Sequence, residues 1–148
     1  MTTEILKKLF TRDLNKLKEE IAAYNNEEKL WYIEGNIANS AGNLCLHLVG
    51  NLSAFIGAEL GKSGYIRNRP DEFALKNVPR AELIDKIEKT IVVVGETLDK
   101  ITQEQLDAVY PIEVLGQNLD TGYFLMHLAM HLSYHLGQVN YHRRLLDE

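Results

Sequence analysis

Apolar positions recur at three- and four-residue steps in several long stretches of the chain, and the breaks between them outline the elements. Over residues 3–24, Ile5, Leu6, Leu9, Phe10, Leu14, Leu17 and Ile21 keep helical spacing, while Lys7, Lys8, Lys16, Lys18, Glu19 and Glu20 fill the other side. That pattern predicts an amphipathic helix, ended by Asn25 and Asn26. Residues 25–39 are expected to form a connector, with Leu30, Trp31, Tyr32 and Ile33 covering an edge of the core. Ser40 suits the N-cap of a second helix reaching Leu60. Gly42, Gly50 and Gly57 share one broad face of it, where another backbone can approach closely, and Gly61 and Gly64 end it. Residues 65–78 are expected to be a polar loop.

Pro79 suits a first helical turn. Leu83, Ile84, Ile87, Ile91, Val94, Leu98 and Ile101 then carry a third helix to residue 101. The run Ile91-Val92-Val93-Val94 has strand-like composition, but the period on both sides of it favours helix. Residues 102–119 are irregular, with a short helical turn at 103–108 and an extended piece from Tyr110 to Leu115. Asp120 or Thr121 can cap a last helix running to Leu146, roughly 40 Å long at ~1.5 Å per residue. The three prolines, at 70, 79 and 111, leave all four long stretches free of helix breakers. The prediction is an all-α four-helix bundle, with long connections between helices two and three and between three and four. At 148 residues the chain is expected to be a single domain, 1–148.

Composition narrows the function classes. Hydrophobic residues are 45% and charged ones 25%, which excludes an intrinsically disordered chain. A net charge of -5 argues against a nucleic-acid partner bound through its phosphates. No stretch reads as a membrane span or apolar leader, and the one cysteine, Cys45, cannot form an internal disulfide. The expected location is therefore a reducing cytoplasm.

The chemistry lies in the histidines. Four of five fall in the last helix, at 127, 131, 135 and 142. Steps of four, four and seven keep them within about 80° of one another at ~100° per residue. His131 and His135 form an i, i+4 pair able to present two imidazoles to one metal. The intervening Leu132, Ser133 and Tyr134 supply no Glu, so this is not the zincin signature. A histidine on an apolar helix is ordinarily a hydrogen-bonded core residue, but four on one stripe each need a partner for the ring N–H. His47 stands mid-way along the second helix in the polar stripe Asn43, His47, Asn51. That stripe is either a solvated face or a third ligand with amide neighbours orienting the site. Gln138 can serve the same orienting role on the last helix. Three neutral imidazoles with an open fourth position describe a catalytic rather than a structural site, and imidazole suits Zn, Ni, Fe or Cu.

The blocks HLVGNLSAFIGAELGKSGYIRNRPDEF (47–73) and HLSYHLGQVNYHRRLL (131–146) resemble the DinB superfamily, which includes YfiT-like proteins, and most closely its DUF1572 branch. The resemblance spans nearly the whole chain. It rests on a mid-helix His in the second helix and His-x-x-x-His shortly before Gly-Gln in the last. It implies a four-helix bundle holding a divalent metal through His47, His131 and His135, often as a homodimer. Characterised relatives include metal-dependent S-transferases that use a low-molecular-weight thiol, and others are labelled metal-dependent hydrolases. His127 and His142 fall outside the implied triad, the first expected one turn away in the core and the second near the mouth or surface.

Tyr65, Arg67, Arg69, Asp71 and Glu72 crowd the loop after the second helix. They are either a solvated loop with local ion pairs or, through Tyr65, Arg67 and Arg69, an anion clamp on a carboxylate-bearing thiol. Cys45 reads as a small buried hydrophobe. There is no phosphate-cradling glycine loop, no Glu-x-x-His of a di-iron bundle and no Gly-x-Ser-x-Gly. The expected function is a metal site that activates a small thiol for transfer to an electrophile. The alternatives are a metal-dependent hydrolase and a non-catalytic metal- or ligand-binding stress-response protein. A homodimer is expected through exposed apolar residues at 30–33 and 110–115.

Overall fold

A computed structural model describes residues 2–147. It is all-helical, with only two isolated β-bridges, Val109 to Asp120 and Val114 to Gln117, among the described residues. The elements are α1 (Thr2–Ala23), a 3₁₀ turn (Glu27–Trp31), α2 (Ala41–Leu52), a wider π turn (Ser53–Ala58), α3 (Arg69–Ala74), α4 (Arg80–Lys100), α5 (Gln103–Asp107) and α6 (Thr121–Leu146). The long helices α1, α2, α4 and α6 share one hydrophobic core.

The apolar stripe of α1, Leu6, Phe10, Leu14, Leu17 and Ile21, is fully buried against α4 and α6. Glu20 is buried with it, accepting from Asn140 Nδ2 and Arg143 Nε of α6, each at 2.7 Å. The run 91–94 is helical, inside α4. All twelve residues of α2 are buried, and Ser40 Oγ caps it by accepting from the Asn43 N–H at 3.2 Å. Residues 41–58 are long and apolar enough to cross a membrane, with a mean hydropathy of 1.2, yet 78% of the segment is buried in the protein. The apolarity of that segment serves the core.

The second helix does not run regularly to Leu60. It widens at 53–58, where Glu59 N–H reaches Ala54 O at 3.0 Å. The widening leaves the Phe55 carbonyl free to accept from the Tyr110 hydroxyl. The glycines of this helix admit side chains rather than backbone. A Cβ would meet the Trp31 ring at Gly42, the Glu72 carboxylate at Gly50 and the Val93 side chain at Gly57.

Two further expectations change. The 65–78 segment holds α3, because Asn68 Oδ1 accepts from the Asp71 N–H at 3.3 Å and Pro70 fits the first turn. In the segments proposed as dimer surfaces, Leu30, Tyr110 and Val114 are buried, while Ile33, Ile112 and Leu115 are exposed. The 3₁₀ and bridged turns at those places fold Leu30, Tyr110 and Val114 inward.

Candidate metal centre

His47 projects from α2 and His131 and His135 from successive turns of α6, and one nitrogen of each lies within 4.8 Å of the others. His131 Nε2 is 3.3 Å from His47 Nε2 and 3.2 Å from His135 Nε2. α2 is pinned at this point by the small space over Gly50 and by Asn43. Asn43 Nδ2 donates to the backbone carbonyls of Glu72 at 2.9 Å and Leu75 at 2.8 Å, clamping α3 onto α2. Ser40 and Lys76 hold its Oδ1.

That clamp delivers Glu72. Its buried carboxylate accepts from His47 Nδ1 at 3.0 Å and from Arg67 through Nε at 2.8 Å and Nη2 at 2.9 Å. Burial alone would raise the Glu72 carboxyl, but the hydrogen bonds from His47 and Arg67 and the Arg67 charge outweigh it and hold it below its usual value. An ionised carboxylate only accepts, so His47 carries its proton on Nδ1 and presents a bare lone pair at Nε2. The same logic holds at His135, whose Nδ1 donates to Gln138 Oε1 at 2.6 Å. Burial, followed by the neighbouring His135, His47 and His127 and by Arg67, pushes His131 down to about 4. Burial also lowers His135, beyond what its Gln138 bond restores.

These protonation states test whether the site fits a cation. Two bare lone pairs aim at His131 Nε2, which can donate one hydrogen at most, so one of the two contacts is left without a proton. Two nitrogens bound to a tetrahedral ion at ~2.0–2.1 Å stand roughly 3.4 Å apart, close to the 3.2 and 3.3 Å seen here. His131 Nδ1 is buried with no partner, so this ring, unlike those of His47 and His135, has no orienting hydrogen bond. The three residues could hold a metal ion, and the donor set suits zinc, nickel or similar ions.

A cavity of about 450 Å³ opens on the cluster. His47, His131 and His127 line it, together with Asn51, Arg67 and Arg69. Asn51 Oδ1 is buried there without a partner. Arg67 lies over the Phe55 ring at 5.7 Å, its fork occupied by Glu72. Arg69 is exposed, lies over the Phe73 ring at 5.3 Å and has no carboxylate partner among the described residues. Phe73 in turn packs on His47, with ring centres 5.0 Å apart. Tyr65 lines a different groove, between α2 and α4.

The remaining histidines separate. His127 is half-buried on the cavity wall, stacked on Phe124 at 5.9 Å. His142 is neither at the mouth nor on the surface. It is buried, with Nδ1 accepting from the Tyr24 hydroxyl and Nε2 donating to the Tyr32 carbonyl, each at 2.7 Å. The step of seven from His135 carries it two turns down α6 to the connector. Glu72 is the site residue that the histidine spacing did not reveal. Its signal was the helix start Asn68-Arg69-Pro70-Asp71-Glu72, which turns a loop acid inward.

A helical protein with an oriented three-imidazole cluster bridging two helices is the class these features define. The chain belongs to DUF1572, a family described as proteins of unknown function, whose model matches residues 3–148. No curated protein matches the chain.

Proposed function

We propose that the protein is a metal-dependent enzyme of the DinB superfamily, one four-helix-bundle domain over residues 1–148, acting in a reducing cytoplasm. Its proposed reaction is transfer of a low-molecular-weight thiol to an electrophile. The observation that carries this is the convergence of His47, His131 and His135 with bare lone pairs beside a cavity. A divalent ion held by these three residues would supply Lewis acidity, lowering the pKa of a thiol or water in the cavity. The chain's own groups do the rest. Glu72 and Gln138 fix the two imidazole orientations, as orienting partners of ligating histidines do. Arg69 offers an unpaired guanidinium to a thiol's carboxylate, whereas Arg67 is committed to Glu72 and braces the His47 side. Asn51 offers an amide oxygen to a donor on the thiol. Orienting thiol and electrophile together in one cavity removes much of the entropic barrier.

Glu113 also lines the cavity and is the carboxylate a hydrolytic base would need, so a metal-dependent hydrolase is the second reading. The decisive experiment reconstitutes metal-free protein with zinc, nickel or cobalt and follows consumption of cysteine, glutathione or bacillithiol with an electrophile such as monochlorobimane. Metal-dependent turnover is expected, lost in His131→Ala. Arg69→Ala should chiefly raise KM for the thiol, because it removes a grip on the unreacting part. Metal binding without thiol turnover, but with ester or amide cleavage, would favour the hydrolase. Metal binding with neither activity would leave a non-catalytic binding protein.

A further inference from the structure

Two irregular stretches of backbone meet at the cavity over the histidines. The first is the wide turn at 53–58, which carries Phe55 on the cavity wall. The second is the tip of the connection between α5 and α6. Val114 and Gln117 exchange both backbone hydrogen bonds there, at 3.0 and 2.9 Å, so Leu115 and Gly116 are the central pair of a two-residue hairpin. Both stand at positive φ, +54° and +70°, the type I′ pattern that such a hairpin prefers. Glycine, asparagine and aspartate fit that pattern, whereas a leucine crowds its Cβ against the following carbonyl. The non-glycine residues at positive φ are Lys62, Asn77 and Leu115, and of these Leu115 alone has an apolar side chain. It is 57% exposed, so the core takes up less than half of it.

The strained tip is held from several sides. The Tyr110 N–H donates to the Leu119 carbonyl at 2.7 Å and the Thr121 N–H to the Ala108 carbonyl at 2.9 Å. The Tyr110 hydroxyl donates to the Phe55 carbonyl, so one tyrosine fixes the hairpin against the turn that supplies Phe55. Strain of this kind persists where the surroundings over-determine it, and it gathers at ligand clamps. Leu115 lines the cavity together with Phe55, Val114, Phe124 and Leu128. Phe124 stands edge-on to Phe55, with ring centres 5.2 Å apart. An apolar wall therefore faces the same space as Arg69 and Asn51.

We infer that this wall is the subsite for the electrophile, with Leu115 as its outer lip, and that it selects electrophiles bearing an aromatic or alkyl group over small polar ones. The inference rests on the reaction class proposed above. There the polar body of the thiol is met by Arg69 and Asn51, which leaves the apolar wall to the second reactant. Removal of that reactant's apolar surface from water supplies the affinity.

Binding of N-phenyl-1-naphthylamine, a neutral aromatic dye, to the metal-free protein tests the subsite without turnover. The fluorescence titration should saturate with the parent and weaken about tenfold in Leu115→Asn, which removes a leucine's apolar contact. It should be unchanged in Val92→Ser, whose exposed side chain lies on α4 outside the cavity. Asparagine suits the left-handed position, so Leu115→Asn should also melt roughly 2–4 °C higher. With zinc and glutathione, the aromatic probe is 1-chloro-2,4-dinitrobenzene. Its C–Cl bond breaks as the C–S bond forms, chloride leaves with the electron pair, and the thiol proton passes to solvent. Leu115→Asn should raise KM for this probe about tenfold, by the same loss of contact, and leave KM for iodoacetamide and for glutathione at parental values. Undiminished dye binding in Leu115→Asn, equal weakening in Val92→Ser, a lower melting temperature, or KM raised alike for both electrophiles would each overturn the subsite. If no thiol is consumed, the dye and melting measurements still decide, so the subsite and the reaction class fail separately.

Discussion

Glu72 joins more of the site than any single histidine does. One carboxylate orients His47, occupies both arms of Arg67 and fills the space that a glycine at position 50 leaves open. Glu72→Gln keeps the size but weakens the acceptor. It should cost about 10- to 100-fold in zinc affinity, the usual loss when a ligand's orienting partner goes, with helix content unchanged. Competition titration with a chromophoric chelator reads this directly, and parental affinity in the variant would refute the role. Gly50→Ala puts a methyl group into the carboxylate and should weaken zinc in the same direction, with an overpacking cost of about 1–3 kcal/mol. His127→Ala should keep the metal. Spacing alone put His131, His135 and Gln138 on one face of α6, together with His127 and His142, and left His47 as either a solvated-face residue or a ligand; the family resemblance chose the three. Glu72 could not be marked from spacing, because it reaches His47 across a chain reversal that Asn43 closes, and no periodicity spans a reversal.

At the scale of elements, His142 binds α6 to the connector between α1 and α2. Burial lowers its pKa, more than the Tyr32 carbonyl and the Asp147 charge raise it. The unfolded chain therefore takes up the proton more readily than the folded one. Stability from this group is complete above the unfolded value of ~6.5 and is lost as pH falls from there towards the lower folded value. Glu20, held below its usual value by Arg143 and Asn140 despite its burial, adds a further loss at more acid pH. Urea unfolding of metal-free protein should show its midpoint falling between pH 7 and 5.5, with a shallower fall in His142→Asn. Equal slopes would remove His142 from the account. The variant should also lose about 1–3 kcal/mol at neutral pH, because the Tyr24 hydroxyl or the Tyr32 carbonyl is left unpaired in the interior. The long helices were legible because their apolar stripes repeat over three or more turns. α3 and the wide turn at 53–58 were not, since neither is long enough to show a period of its own.

Across the whole molecule, the cluster ties α2 to α6, so an ion bound there would staple together two elements far apart in sequence. Zinc at 100 times its Kd should stabilise the fold by about 2.7 kcal/mol. For a chain of this length that is a rise in Tm of roughly 5–10 °C, visible by differential scanning fluorimetry and absent in His47→Ala. An equal rise in that variant would mean the ion binds elsewhere.

Cys45 sits in the middle of α2 with no surface exposed, its thiol pushed up to about 12 by burial. In the proposed reaction the protein would meet alkylating agents, and its own sulfhydryl would be an early casualty if it were ionised or accessible. Packing around Cys45 closes that side reaction off. Intact mass after prolonged incubation of the folded protein with iodoacetamide should show no adduct, and one carbamidomethyl group should appear only once urea has opened the core.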